Sequence, residues 1–432
     1  MQRLTNTLKD YAWGSPTGIP EILGLEPDGT PVAELWVGAH PGAPSAVDGR
    51  RLDALIADDP ARCLGEDSLA RFGPRLPFLL KVLSARSPLS IQSHPTREQA
   101  DAGFAREEAE GIPAGAPHRT YRDPWHKPEL LYALEEFHAL CGFRPVPAVL
   151  ATLDRFALAL DGPAASEAAP ASGVSADARA ALAEWREALT RPADGTCDDE
   201  AVVREAVERI LGEPARFGAL ADALAAALER PGLRPVAEDD PSHAGSSTDP
   251  AVTLQETHAD FPHDPGPLVA VMLRRHLLRP GESLAVESGS IHAYLRGMGV
   301  EIMAASDNVL RGGLTAKHVD VCELVRTARF DTDAPDLLLP DEDGELRGSS
   351  DDFVLTVVTD AADRRLRRSG ALTLLCTDGA FTLRAEAAAE AAAGGDPVTL
   401  DLARGEAAWI AADEPRPAVT GAGALFIAST GL

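Results

Sequence analysis

The sequence predicts a mainly β protein with an α-helical insertion: a first β unit, the insertion within it, and a second β unit at the C-terminus. Three observations carry this expectation. Residues 281–317, GESLAVESGSIHAYLRGMGVEIMAASDNVLRGGLTAK, alternate apolar and polar side chains with the period of a strand. Residues 146–235 instead show helical spacing in ARAALAEWREAL, EAVVREAVERIL and PARFGALADALAAALER. Residues 331–432 return to short runs such as FVLTVVT, ALTLLC, AFTLRAE, PVTLDLA, EAAWIAA and ALFIAS, which read as strands.

A chain of 432 residues is long for one core. The composition shifts divide it into residues 1–145 and 236–330, two parts of the first β unit, with the all-helical insertion 146–235 between them and the C-terminal unit 331–432 after them. In the first part, YAWGS (11–15) and ELWVGAHPGAPS (34–45) set Trp13 and Trp36 beside glycines, with Glu34 close by. A β core with turns accounts for them; so does an aromatic and carboxylate rim around a polar ligand. Residues 51–75 read as a short helical connection. The run Phe78 to Leu83 is apolar except for Lys81, which is costly to bury unless paired or deprotonated.

Ser90-Ile91-Gln92-Ser93-His94-Pro95 follows. Gln92 and His94 are two apart and share one face of a strand, as half of a metal site or as a surface polar pair. In YRDPWHKPE (121–129), Pro124 and Pro128 fix an extended path that presents Lys127 and Glu129 as base and ligand, or simply a charged loop. LYALEEFHALCGF reads as a strand pair. The loop near 236–250 is polar, a short helix is expected near 251–260, and VAVMLRRHLL reads as a strand.

In the 281–317 stretch, Ile291, Ala293 and Leu295 face one side, His292 and Tyr294 the other. Gly297 and Gly299 mark a turn, so Val300–Met303 is expected to form a hairpin with the first strand. That hairpin projects His292, Tyr294 and Glu301 from one surface. Asp307, Arg311 and Lys317 come next. A satisfied core histidine and a solvated arginine are the plain alternative, but so many polar groups in an apolar stretch point to a site. Gly281, Glu287-Ser288-Gly289 and His292 resemble the second cupin motif, with Glu287 where that motif has Pro. The resemblance implies a cupin-type antiparallel barrel with a metal-binding His facing inward. LARGEAAWIAADE loosely echoes LRPGESLAVESGS, which suggests a second barrel without the His and without metal.

The net charge of -27 argues against a nucleic-acid surface and requires local positive charge around any anionic substrate. Apolar runs fall short of a membrane span and no signal-peptide core opens the chain, so a soluble cytoplasmic protein is expected. Five scattered cysteines argue against a disulfide framework and against a thiolate metal site. Of 40 cations only four are lysines: Lys9, Lys81, Lys127 and Lys317. Three of them lie in the dense segments, where a compact, deprotonatable ammonium does what a guanidinium cannot; chance is the alternative.

Gln92, His94, Glu129 and His292 supply N and O donors with one negative charge, a set that suits a zinc-type divalent ion. The segments LSIQSHP, YRDPWHKPE and HAYLRGMGVEIMAASDNVLRGGLTAK, with YAWGS and ELWVGAHPGAPS, resemble those of type I mannose-6-phosphate isomerases along the whole chain. The resemblance implies one zinc per chain on Gln92, His94, Glu129 and His292, and an active-site Arg311. It implies phosphate contacts near Ser90, Lys81 and Lys317, and sugar contacts or proton transfer among Lys127, Tyr294, Glu301, Asp307 and His126. Trp13 and Glu34 join them as rim residues. The implied reaction interconverts mannose 6-phosphate and fructose 6-phosphate; a cupin oxygenase and a non-catalytic sugar-phosphate sensor are the alternatives. Three positions depart from the family pattern: Trp125 stands for Asn, Gly312 for Ala and Ala316 for Pro.

Overall fold

A computed structural model describes residues 1–161, 176–190, 198–229, 247–366, 370–385 and 398–432. It is sheet-rich, with a block of helices between the strands. One sheet of 11 strands runs in the order Leu337–Leu338, Ser283–Val286, Glu129–Ala133, His292–Ala304, Phe78–Ala85, Glu34–Val37, Thr7–Lys9, with four further strands off this path. A second sheet of seven strands collects the C-terminal runs. The expected loop near 236–250 lies mostly outside the described residues.

The central element is the 13-residue strand His292–Ala304. This corrects the expected hairpin: its two strands are halves of one. The first half pairs with Phe137–Phe143 and Gln92–Ser93, the second with Phe78–Ala85 and Glu129–Ala133. The register slips between Tyr294 and Arg296, a bulge beside Gly297. Gly297 has φ +118°, and a Cβ there would sit 2.7 Å from the Glu136 carbonyl oxygen, so the bend requires glycine. In an unbroken strand Glu301 would point away from His292. The bulge restores the parity, and both face the same side.

The opposite face of this strand enters the helical core. Ile291, Ala293 and Leu295 are fully buried there with Phe143, Leu310 and Leu314, against the helices Val146–Asp161, Ala176–Ala188, Asp199–Gly212 and Pro214–Leu228. These helices form where spacing predicts them, because one apolar stripe per helix is buried. Pro250–Asp260 is the expected short helix. VAVMLRRHLL divides: Gly266–Met272 is helical and only Leu273–Leu278 is a strand. ALTLLC and AFTLRAE are likewise one strand, Leu372–Ala385.

The expected boundaries are crossed twice. Gln2–Leu4 pairs with Leu4↔Ala407 and Gln2↔Trp409 in the C-terminal sheet, and Leu337–Leu338 pairs with Ser283–Val286 in the first sheet. The two sheets share a core in which Leu80, Val82 and Ile302 meet Trp409 and Phe426.

Candidate active site

The site begins with a row across the sheet. Arg311 lies opposite Gln92, Gln92 opposite His292, and His292 opposite Cys141. Directly paired antiparallel residues share a face, so four strands present these side chains together. His94 follows two residues after Gln92, and Glu129 opens the strand behind the proline-framed loop.

His94, Glu129 and His292 are buried, and one ligand atom from each lies within 4.8 Å of the others. The Nδ1 of His94 donates to the Asn308 carbonyl at 2.7 Å, and that of His292 to the Ser290 carbonyl at 3.2 Å. Both tautomers are thereby fixed, leaving Nε2 as the free lone pair on each ring. Nε2 of His94 sits 3.2 Å from Glu129 Oε1, and Nε2 of His292 sits 3.4 Å from Glu129 Oε2. Neither contact has hydrogen-bond geometry, so both Nε2 atoms and Glu129 Oε2 stay unpartnered though fully buried. Convergent, desolvated acceptors without donors are costly unless a cation joins them. Two imidazole nitrogens, a carboxylate and the adjacent Gln92 amide thus fit a zinc-type ion.

The charges agree with this. Burial, then the positive charge of Lys127, push the His94 pKa down to about 4, so the ring is neutral. Burial alone would raise Glu129, but the Lys127 ammonium beside it holds the carboxylate well below its usual range. The Lys127 ammonium is 2.6 Å from Glu129 Oε1.

A cavity of about 620 Å³ opens over this floor, lined by Gln92, Lys127 and Glu129 together with Trp13, Ser90 and Tyr294. Glu34, Lys81, Glu301 and Asp307 line it too. Lys81 is buried and committed to two carboxylates, Glu301 at 3.0 Å and Glu34 at 3.5 Å. Burial would lower its pKa; the two carboxylates outweigh this and raise it. Glu301 is itself raised by burial. Burial, then the negative charges of Glu301 and Glu129, raise Tyr294 far enough to keep its phenol neutral. Trp36 donates from Nε1 to Glu34 at 2.8 Å, and Lys9 lies 4.6 Å over the Trp36 ring.

Arg311 and Lys317 line the same cavity with a different character. Burial lowers the Arg311 pKa, and the neighbouring Arg122 lowers it further. Burial, then Arg311 and Arg122, lower Lys317. No carboxylate relieves either among the described residues. Like charges left facing one another favour an anion between them.

His126 is the exception among the expected residues. Its Nε2 meets Asp352 at 2.7 Å, and it lines a separate cavity with Trp125 and Arg97. The extended path explains the correction: successive side chains alternate, so Lys127 and Glu129 face the first cavity while His126 faces away. Trp125 lies between the guanidinium groups of Arg75 (3.9 Å) and Arg97 (3.6 Å).

Sequence patterns do not single out Arg86 and Arg122, which add positive charge around the cavity. Nor do they single out Asn308. That residue is fully buried; its amide donates to the carbonyls of Asp123 (2.7 Å) and Trp125 (2.8 Å), and its side-chain oxygen accepts from the Arg122 N–H at 2.7 Å. Asn308 therefore brackets the YRDPWHKPE loop to His94.

Sheet and donor set together define a metal-site protein whose cavity also carries Arg311 and Lys317. The comparisons give the family. A model of the phosphomannose isomerase type I catalytic domain matches residues 1–146. Mannose-6-phosphate isomerase of Escherichia coli (strain K12) is 33% identical over 438 residues, covering 98% of each chain. The Bos taurus enzyme is 31% identical over 345 residues, covering 74% of this chain and 72% of that one. Mannose 6-phosphate isomerase from Salmonella typhimurium, solved bound to its substrate and zinc, superposes with a TM-score of 0.80 at 32% identity over 100% of both chains. The chain belongs to the mannose-6-phosphate isomerase family.

Proposed function

We propose that the protein interconverts mannose 6-phosphate and fructose 6-phosphate with one zinc ion per chain. The observation that carries this reading is the pairing of an unpartnered His94–Glu129–His292 donor set with unneutralised Arg311 and Lys317 around one cavity. Gln92, His94, Glu129 and His292 would hold the ion, which supplies Lewis acidity where negative charge develops on a sugar oxygen.

Isomerisation moves a proton between C2 and C1 of the open-chain sugar through an enediol, while a hydroxyl proton passes between O2 and O1. Lys127 and Glu301 are the two candidate bases. Lys127 stands beside Glu129, and burial makes Glu301 a stronger base than an exposed carboxylate. Arg311 adds fixed positive charge to the developing oxyanion. Lys317 and Ser90 are proposed phosphate contacts. Tyr294, Asp307, Trp13 and Glu34 are proposed to orient the sugar, and Lys81 to hold Glu301 and Glu34 in place rather than to meet phosphate directly.

The catalytic unit is read as a cupin-type barrel, supported by one bent strand, His292–Ala304, that pairs with four others. The helices within 146–235 and the β unit 331–432, though joined to the first sheet by strand pairing and shared cores, are read as carrying no catalytic groups. A cytoplasmic location belongs to the same reading. A coupled assay of fructose 6-phosphate formation by the zinc-loaded protein tests the function. Tight sugar-phosphate binding without turnover would instead make the protein a sensor, and oxygen consumption would make it an oxygenase.

A further inference from the structure

The segment that carries Arg311 and Lys317 is held at two places. At its start, Gly312 N–H donates to the Ile91 carbonyl at 2.8 Å and Ile91 N–H to the Gly313 carbonyl at 3.1 Å. Beyond Gly313 the backbone turns through conformations that need support. Gly313 has φ +115°, and a Cβ there would lie 2.5 Å from Gly266 Cα. Leu314 has φ +52°, uncommon for a residue with a side chain, and that side chain is buried in the helical core.

Asp264 meets this need. Its Oδ1 accepts from Leu314 N–H at 3.0 Å and Gly266 N–H at 2.6 Å; its Oδ2 accepts from Thr315 N–H at 3.2 Å. Three backbone donors thus converge on one carboxylate, two of them from the cation-bearing segment. Thr315 Oγ1 then accepts from Lys317 N–H at 3.1 Å, which extends the hold to the second cation. The negative charge is engaged by backbone N–H groups, and Arg311 and Lys317 keep their charge for a ligand.

Asp264 is in turn anchored from the helical side. The preceding residue, His263, donates from its N–H (3.0 Å) and its Nδ1 (2.7 Å) to Asp222 of the helix Pro214–Leu228. His258 meets the same carboxylate at 2.8 Å. A Cβ on Gly218 of that helix would be 2.2 Å from the His263 carbonyl oxygen, so loop and helix touch backbone to backbone.

We infer that Asp264 is a positioning residue for phosphate recognition: it fixes the 312–317 segment so that Lys317 is held over the cavity, which Arg311 enters from its own pairing with Gln92, and the helical block is its anchor. This rests on the isomerase reading for the identity of the anion but not for the geometry. A residue that only stabilised the fold would change thermal midpoint, metal content and turnover together. A positioning residue changes affinity for the anion alone.

The test compares Asp264→Ala and Asp264→Asn with wild type as zinc-loaded full-length proteins. Asn keeps the shape and one acceptor oxygen. In Asp264→Ala, KM for mannose 6-phosphate and the inhibition constant of inorganic phosphate should both rise roughly tenfold, the loss expected from one to two hydrogen bonds to a charged acceptor. Asp264→Asn should show a smaller change in the same direction. Zinc content should stay at the wild-type level, with kcat changed less than about threefold. Unchanged KM and phosphate inhibition in both variants would overturn the inference, as would loss of zinc or a fall in kcat at constant KM. Direct calorimetric titration with inorganic phosphate reads the same effect without turnover. If wild type binds phosphate but does not isomerise, the proposed function fails while this inference is still decided.

Discussion

Lys81 and Glu301 are cross-strand partners, opposite one another in the sheet, and their charged ends meet at 3.0 Å in a fully enclosed part of the cavity floor. Glu34 closes on the same ammonium from the next strand, at 3.5 Å. One lysine therefore neutralises two buried carboxylates. Replacing it with Met strands both, and should destabilise the protein by about 3–5 kcal/mol. Chemical denaturation of Lys81→Met measures this. Adding Glu301→Leu should return part of the loss, because one of the stranded charges is removed; a double variant no more stable than the single would contradict the pairing.

The donor set predicts the response to metal loss. The wild-type protein should hold about one zinc per chain and lose turnover on chelation. His292→Ala should lower zinc content sharply, since it removes a ring whose Nδ1 is already fixed by Ser290. Gln92→Ala should lower it less, because a neutral amide is the weakest donor of the four. Elemental analysis of dialysed protein checks both, and full zinc in a Gln92→Ala, His94→Ala double variant would show that the ion binds elsewhere.

Arg311 and Lys317 should separate kinetically. Arg311 shares a row with Gln92 and His292, so Arg311→Ala removes charge next to the reacting oxygens. A drop in kcat/KM of roughly 100- to 1000-fold is expected. Lys317 is exposed at the cavity mouth, and Lys317→Ala should raise KM with kcat nearly unchanged. Equal losses of kcat in the two variants would dissolve the distinction.

Lys127→Arg keeps the charge beside Glu129 but removes any group able to accept a proton. Turnover should fall at least tenfold if Lys127 is the base. If Lys127→Arg turns over normally and Glu301→Gln does not, the proton belongs to Glu301. Lys9 lies outside the dense sequence motifs, yet it packs over Trp36, which bonds Glu34. Lys9→Arg should still be near wild type, since a guanidinium stacks on that ring equally well.

Acid stability should depend on Glu323. Burial alone would raise its pKa, but hydrogen bonds from Arg326, Tyr121 and Arg106 bring it down to about 2. A folded-state pKa below the ordinary 4.5 means the stabilisation is present above about pH 4.5 and is lost as pH falls towards 2. Glu323→Gln should therefore cost on the order of 1–2 kcal/mol at neutral pH. Thermal midpoints taken between pH 7 and pH 2.5 should converge at the acid end; a constant gap would count against the linkage.

Much of the site is legible in the sequence because side-chain chemistry and alternation are enough. His292 and Tyr294 on one face and Ile291, Ala293 and Leu295 on the other follow from a period of two. Glu301 lies on the expected face for a different reason. A turn would place it there, but a bulge at Gly297 supplies the extra residue instead, and glycines mark both events equally. His126 departs from its expected place because a dense polar cluster reads as one site, although alternation divides it between two cavities. Asn308 and Asp264 give no sequence signal as site residues, since each acts on backbone groups of segments distant in sequence. Such contacts leave no pattern in a linear reading.

The pairing of Gln2–Leu4 with Ala407–Trp409 sets an order of events during synthesis. Gln2–Leu4 leaves the ribosome long before its partner does. The metal-site sheet and the helices can form while the chain is still growing, but the C-terminal sheet is not complete until that partner emerges. The closing step joins very distant parts of the chain and should be slow. Until Ala418–Ser429 has followed, Leu372–Ala385 lacks one of its neighbours, and until Gln2–Leu4 closes on it Ala407–Ile410 has an open edge; both are exposed to pairing with other chains. Lesions in either closing strand should thus reduce the yield of folded protein more than they reduce the activity of the molecules that succeed in folding.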